Sequence, residues 1–236
     1  MSTQRVQNKQ GSVLSTELIL TTALRLAEQA GGLDKLSLRQ VGKDLAVDPT
    51  AIYRYFRSKD ELVATMVDRI VTEMLPAEEE LTGDWRSRLT ALAEHARRVF
   101  TAYPSLTIVV ASLHTTMNID TAVSTRQLEI GYAALTEAGL SDYDVVHFYD
   151  GLFTFILGFG FVDASFGANP DEGRAALRDR YAELATQRFP NLSRVAAIAH
   201  PNTDAVFRFI LASYLDTIER YAATTKRTTD QGAPLV

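Results

Sequence analysis

The sequence predicts an all-α protein: a small N-terminal three-helix domain with a helix-turn-helix, followed by a larger helical bundle. Three observations carry this. Apolar residues recur at spacings of three and four along most of the chain, while no period-2 run bounded by hairpin signals and no internal repeat occurs. Residues 36–59 read as two short helices joined by a tight turn, the second with a polar outer side. Charge is divided unevenly: residues 1–60 hold nine Lys/Arg against six Asp/Glu, a net +3, and residues 61–236 hold fifteen against twenty-three, a net −8. The expected divisions are a flexible arm over 1–12, a helix-turn-helix domain over 13–60, a helical domain over 61–224 opening with a connecting helix at 61–75, and a disordered tail over 225–236.

The arm, MSTQRVQNKQGS, is polar and aperiodic, with Arg5 and Lys9 placed to reach DNA phosphates or a minor groove. From Ser15 to Ala30, Ile19, Ala23, Leu26 and Ala30 form one stripe and Leu20, Leu24 and Ala27 the next; Ser15 and Thr16 can cap this helix and Gly31-Gly32 stop it. Ser37 caps the next, where Leu38, Val41 and Leu45 share a face. After Leu45-Ala46-Val47 the chain turns, and Asp48-Pro49 restarts a helix with a capping acceptor and an N1 proline. In that helix Ile52 and Phe56 point at the core, which turns Thr50, Tyr53 and Arg54 outward at about 100° per residue. A hydroxyl, a phenol and a guanidinium together suit phosphate contact and base-edge readout, and a major groove about 12 Å wide accepts one helix.

Leu62, Val63, Met66, Val67, Ile70, Val71 and Met74 predict a helix from Lys59 to about Leu75, ended by Pro76. A long helix starts at Gly83-Asp84-Trp85 and breaks at Pro104. Helices then follow over 106–117, 122–138 and 141–166, the last apolar nearly all round and so expected to be buried on more than one side. Asn169-Pro170-Asp171-Glu172 starts another that ends near Phe189-Pro190, with a short one over 191–200. Asn202 or Thr203 caps the final helix, after which the chain beyond Thr224 is polar.

Composition excludes several chemistries. With 46% apolar and 22% charged residues in a chain of 236, the protein is of ordinary globular type. Cysteine is absent, which removes disulfides, thiolate metal sites and cysteine nucleophiles. The four histidines, His95, His114, His147 and His200, have no second histidine at i+3 or i+4, and no H-E-x-x-H occurs, so no metal is expected. His147 with Asp144 and Asp150 is the best local cluster, equally explained as a satisfied polar patch. Gly158-Phe159-Gly160 lacks the third glycine of a dinucleotide cradle, and no Gly-x-Ser-x-Gly elbow occurs. No cofactor and no enzymatic activity are expected. No basic leader with an apolar run follows Met1 and no stretch approaches about 18 uninterrupted apolar residues, which gives a cytoplasmic expectation.

Ser37-Leu38-Arg39, Val47, Thr50, Ile52-Tyr53, Phe56 and Lys59 with Leu62 resemble the DNA-binding domain of the TetR family of bacterial transcriptional repressors, over about 50 residues. Three positions depart from the family pattern: Gly42 for Ala, Tyr55 for His, and Ala46 for the turn glycine, where a left-handed residue costs roughly 1 kcal/mol or more. The resemblance implies a homodimer binding an operator palindrome, with DNA contacts from Ser37, Arg39, Pro49, Thr50, Tyr53, Arg54, Tyr55 and Lys59. It also implies an effector pocket within the aromatic region 100–166, for which the candidates are Phe100, Tyr103, Leu113, His114, Met117, His147 and Phe153; core packing accounts for most such residues equally well. The expected dimer interface joins the helices over 141–166 and 203–222, through Gly151, Phe155, Gly158, Val162, Leu211, Tyr214, Leu215 and Ile218. Two rival readings are a ligand-independent architectural or activating DNA binder and a helical enzyme with an accessory DNA motif.

Overall fold

The computed structural model describes residues 13–104, 122–165, 170–184, 189–199 and 202–230. Every regular element among them is helical: α1 (Thr16–Ala30), α2 (Leu38–Asp44), α3 (Pro49–Ile52), α4 (Lys59–Glu73), α5 (Trp85–Ala102), α6 (Ala122–Glu137), α7 (Asp142–Ser165), α8 (Pro170–Leu184), α9 (Pro190–Val195) and α10 (Thr203–Asp230), with 3-10 turns at Leu33–Lys35, Glu78–Glu80 and Ala196–Ile198. The helix expected over 106–117 lies outside the described residues. The chain forms two compact units, Met1–Leu75 with Arg98–Thr125, and Pro76–Arg97 with Arg126–Val236.

In the first unit each helix begins on a side chain that accepts an otherwise unpaired backbone N–H. Ser15 takes Leu18 N–H at 3.2 Å, Ser37 takes Gln40 N–H at 3.2 Å, and Ser58 takes Glu61 N–H at 3.1 Å. α1 ends on Gly31, left-handed at φ 72°, where Gly32 N–H reaches back to the Ala27 carbonyl at 3.0 Å. The helix packs on both α2 and α4. The head core is Ile19, Val41, Ile52, Phe56, Leu62 and Met66, none more than 2% exposed. Phe100, near the end of α5, is a further buried side chain of this unit at 1%. α4 joins α1 through Arg69, whose guanidinium meets Glu17 at 2.6 Å and Glu73 at 2.5 Å.

The second unit is held by ties from α5 and by two tyrosine-on-glycine contacts. Arg88 pairs with Glu137 at the end of α6, and Trp85 N–H donates to the same carboxylate at 3.2 Å. Arg86 pairs with Asp216 and Arg97 with Asp204, the latter at 2.7 Å, which ties α5 to α10. The Tyr149 ring of α7 lies over Gly131 of α6, in the space a Cβ there would need. Similarly, a Cβ on Gly151 would sit 2.6 Å from the Tyr214 hydroxyl, which donates to the Phe148 carbonyl at 2.8 Å. Phe155 stacks on Phe207 at 5.2 Å, Phe159 meets Phe207 edge-on at 5.4 Å, and the Arg97 guanidinium lies 4.7 Å from the Phe207 ring. α8 packs against α9 and the 3-10 turn after it.

Three expectations are corrected here. Leu211, Leu215 and Ile218 were assigned to a dimer interface, yet they are 3%, 2% and 0% exposed in the single chain: the i, i+4, i+7 stripe of α10 faces its own bundle. Gly151 and Tyr214 of the same set are consumed by packing on each other. The all-round apolar α7 is not covered all round, since Tyr143 is 72% and Phe161 57% exposed on the side away from Tyr149, Leu152 and Ile156. Finally, the tail expected from residue 225 is helical as far as Asp230, because extending a nucleated helix needs no further apolar burial.

Candidate nucleic-acid interface

The helix pair is shaped by two residues that carry little or no side chain into it. Leu45 N–H bonds to the Val41 carbonyl, Ala46 N–H to Lys43 and Val47 N–H to Gly42, at 3.0, 3.1 and 3.0 Å. This closure requires the left-handed region at Ala46, which has φ 53°. The turn geometry that glycine serves elsewhere is therefore kept with an alanine. Gly42 then faces Pro49 so closely that a Cβ would lie 3.2 Å from the Pro49 Cα, so the missing side chain lets α3 lie directly on α2.

Asp48 opens α3. One of its oxygens, Oδ1, accepts from both Thr50 N–H at 2.8 Å and Thr50 Oγ1–H at 2.6 Å. The Thr50 hydroxyl bond, then the backbone bond, hold the Asp48 carboxyl below its ordinary value, so it stays anionic near neutral pH. Ile52 and Phe56 anchor the inner side, and Thr50, Tyr53 and Arg54 are exposed as expected from their spacing, Tyr53 at 47%. Arg39 and Arg54 are exposed and make no ion pair among the described residues, whereas nearby Arg25 is occupied by Asp44.

Other assigned residues are used differently. Ser37 is exposed and caps α2, and Pro49 is half-buried against Gly42. Tyr55 is half-buried and its hydroxyl donates to the Leu14 carbonyl at 2.8 Å. Lys59 donates its ammonium to the Asp34 carbonyl at 2.9 Å, closing the corner between the 3-10 turn and α4. Glu61 reaches back to Arg57 N–H at 2.7 Å, a contact the sequence reading missed although Ser58 followed by Glu61 is the signature of a capping box.

The effector candidates among the described residues fall in both units. Phe100 is buried in the first unit, and Tyr103 lines a cleft of about 340 Å³ in that unit with Leu20, Leu24, Arg69 and Glu73. Burial first, then the Glu73 carboxylate, pushes the Tyr103 phenol up. His147 is exposed on α7, its Nδ1 2.6 Å from the Tyr143 carbonyl, so its ring stands on the outer stripe instead of in an interior pocket. Phe153 is half-buried in the second unit, and Leu113, His114 and Met117 lie outside the described residues. Among the described residues no group of acidic and histidine side chains is arranged to hold a metal ion.

A three-helix head presenting an exposed, uncompensated polar face on a helix-turn-helix, followed by a separate helical body, defines a DNA-binding regulator of the helix-turn-helix class. Residues 19–66 match the family described as bacterial regulatory proteins, tetR family, and residues 75–221 match the tetracyclin repressor-like C-terminal domain. The chain belongs to the TetR family of transcriptional regulators. It is similar to the HTH-type transcriptional repressor Rv1353c of Mycobacterium tuberculosis, with 32% identity over 154 residues, 64% of this chain and 58% of that protein. Among solved structures it is similar to the Streptomyces coelicolor TetR family protein ActR in complex with actinorhodin, at 23% identity and TM-score 0.65, covering 89% of this chain and 99% of that one. It is also similar to BioQ with its double-stranded DNA operator, at 19% identity and TM-score 0.56, covering 88% and 99%. At these identities the structural likeness is one of fold.

Proposed function

We propose that the chain is a homodimeric repressor that binds a palindromic operator through α2 and α3 and is released by a small, largely apolar effector held in its helical body. The observation that carries the reading is the division of α3 and the turn that follows it over 53–56: Ile52 and Phe56 are locked inward while Thr50, Tyr53 and Arg54 stand outward beside the uncompensated Arg39. Tyr53 and Arg54 on this face make no ion pair among the described residues, and their groups match the acceptors of phosphates and base edges. Regulators of this kind work in the cytoplasm, where the DNA is.

The homodimer rests on α7 and α10. Tyr143, Val146, Phe161 and Val162 leave an apolar stripe on α7, and Phe209 and Ile210 do the same on α10. Of the residues first assigned to the interface, Gly158 and Val162 lie on this open side, and nothing stands within 4 Å of a Cβ built on Gly158. A four-helix contact across a two-fold axis covers such stripes and sets two reading helices about 34–36 Å apart, one turn of DNA. The effector half draws on the repressor-like C-terminal match and on the fact that ActR has been solved with actinorhodin; of the pocket candidates, Phe153 is half-buried in the second unit, and Leu113, His114 and Met117 lie outside the described residues.

Selection of bound sequences from a random duplex pool tests the function. The expected result is a palindromic consensus whose half-sites are one helical turn apart. An asymmetric consensus removes the two-fold reading, and enrichment of no sequence removes operator binding altogether.

A further inference from the structure

Reading DNA makes no use of the cleft of about 340 Å³ that Tyr103 lines in the first unit, a volume at the small end of ligand pockets. Three helices build it. Leu20, Leu24 and Glu28 follow one another at i+4 on α1, Arg69 and Glu73 do so on α4, and Ala102 and Tyr103 come from the end of α5. Leu20 and Leu24 are each 5% exposed and make a firm apolar floor, while Thr21 and Ala102 are exposed and mark the mouth. Because α1 packs on both α2 and α4, an occupant of this cleft sits one helix away from the reading segment.

The charge around the cleft selects what can enter it. Both arginines of the lining are committed: Arg25 pairs with Asp44 and donates to Gln29 at 3.0 Å, and Arg69 is held between Glu17 and Glu73. With those partners and Glu28 counted, two guanidinium groups meet four carboxylates, a net −2, and adding Arg98, one turn before Ala102, leaves −1. The carboxylates act on the interior as well as on the rim. After burial, Glu73 and then Glu28 push the Tyr103 phenol up, against the opposing pull of Arg69. An anion entering here meets like charge, whereas a cation meets carboxylate acceptors beside an aromatic ring.

We propose that this cleft is a small-molecule site for an organic cation, a primary amine carried on a single aromatic ring. The ring lies on Leu20, Leu24 and Tyr103, and the ammonium donates to the Glu28 and Glu73 carboxylates. The site belongs to the first unit and is separate from the effector pocket proposed for the helical body.

Calorimetry on the full chain tests this with probes of one shape and different charge: phenethylamine, its neutral counterpart phenethyl alcohol, and the anion phenylacetate. Phenethylamine is expected to bind saturably in the millimolar range or below, several-fold more tightly than the alcohol, with phenylacetate weakest. Glu28→Gln and Glu73→Gln should each weaken the amine by about two- to five-fold, the range of a partly exposed charge pair, and leave the alcohol unchanged. Thr21→Trp breaks no ion pair and fills the mouth from an exposed position, so it should abolish phenethylamine binding in a chain that unfolds at the same temperature as wild type. Equal affinities for amine and alcohol, or tighter binding of phenylacetate, overturn the choice of a cation. A phenethylamine site that survives Thr21→Trp lies elsewhere in the chain, and the absence of saturable binding removes the site. Each of these leaves the operator reading untouched, since that stands or falls on the duplex selection.

Discussion

Ala46 holds a left-handed turn that a side chain disfavours. A residue with a Cβ at φ 53° gives up roughly 1–2 kcal/mol relative to its relaxed conformation, and glycine does not. Part of the gain from glycine is offset by its freer unfolded chain. Ala46→Gly is therefore expected to raise stability by about 1 kcal/mol in urea unfolding with an unchanged denaturant slope; a lower midpoint would mean that the turn is not strained. On the outer face, Tyr53→Ala and Arg54→Ala should each weaken operator binding by about 1–3 kcal/mol with the fold intact. Lys59 differs from them. Because its ammonium caps the Asp34 carbonyl, its replacement acts on the corner of the head as well as on any phosphate, so it is the poorer probe of DNA contact.

At the scale of elements, α7 and α10 meet where a tyrosine fills the place of an absent side chain. Gly151→Ala drives its new methyl toward the Tyr214 hydroxyl, so it should destabilise by about 1–3 kcal/mol, the usual range for overpacking. The same change made in Tyr214→Phe should cost less, and equal losses in the two backgrounds would refute the contact. Burial pushes the Tyr214 phenol up to about 12 from 10.0. Since the folded chain then holds a proton that the unfolded chain releases, this residue's contribution is complete below pH 10 and falls as pH rises from 10 toward 12. Tyr214→Phe should accordingly show a shallower loss of stability than wild type over that interval.

How much of this was legible in the sequence follows from the same elements. Helices and their starts were readable because Ser15, Ser37 and Asp48 act on backbone groups two or three residues away. Periodicity also separated the two sides of α3. It could not say which molecule covers a given side, and so the α10 stripe of Leu211, Leu215 and Ile218 was assigned to a partner although the chain's own bundle covers it. Contacts such as Tyr55 to Leu14 and Arg97 to Asp204 join residues far apart in sequence, and no local pattern announces them.

For the whole molecule, the open side of Gly158 offers a clean probe of assembly. Nothing stands within 4 Å of a Cβ there in the single chain, so Gly158→Leu should leave the protomer folded and shift sedimentation toward monomer; an unaltered dimer would place the interface elsewhere. Effector and operator must also oppose each other equally. An effector that prefers the DNA-free state about 100-fold carries a coupling of about 2.7 kcal/mol, and DNA must weaken effector binding by the same factor. Calorimetry of a candidate effector with and without operator measures both sides, and equal affinities would remove ligand control.

The direct seating of Pro49 on Gly42 separates two jobs that most helices mix. The joint between α2 and α3 is made by backbone, by the Asp48 cap with Thr50 and by inward residues, so Tyr53 and Arg54 take no part in holding α3. Tyr53 and Arg54 are thus lettering on a fixed frame. A lineage carrying this head can move from one operator to another by rewriting its outward residues, with little penalty in folding at each step, and a designer can do the same.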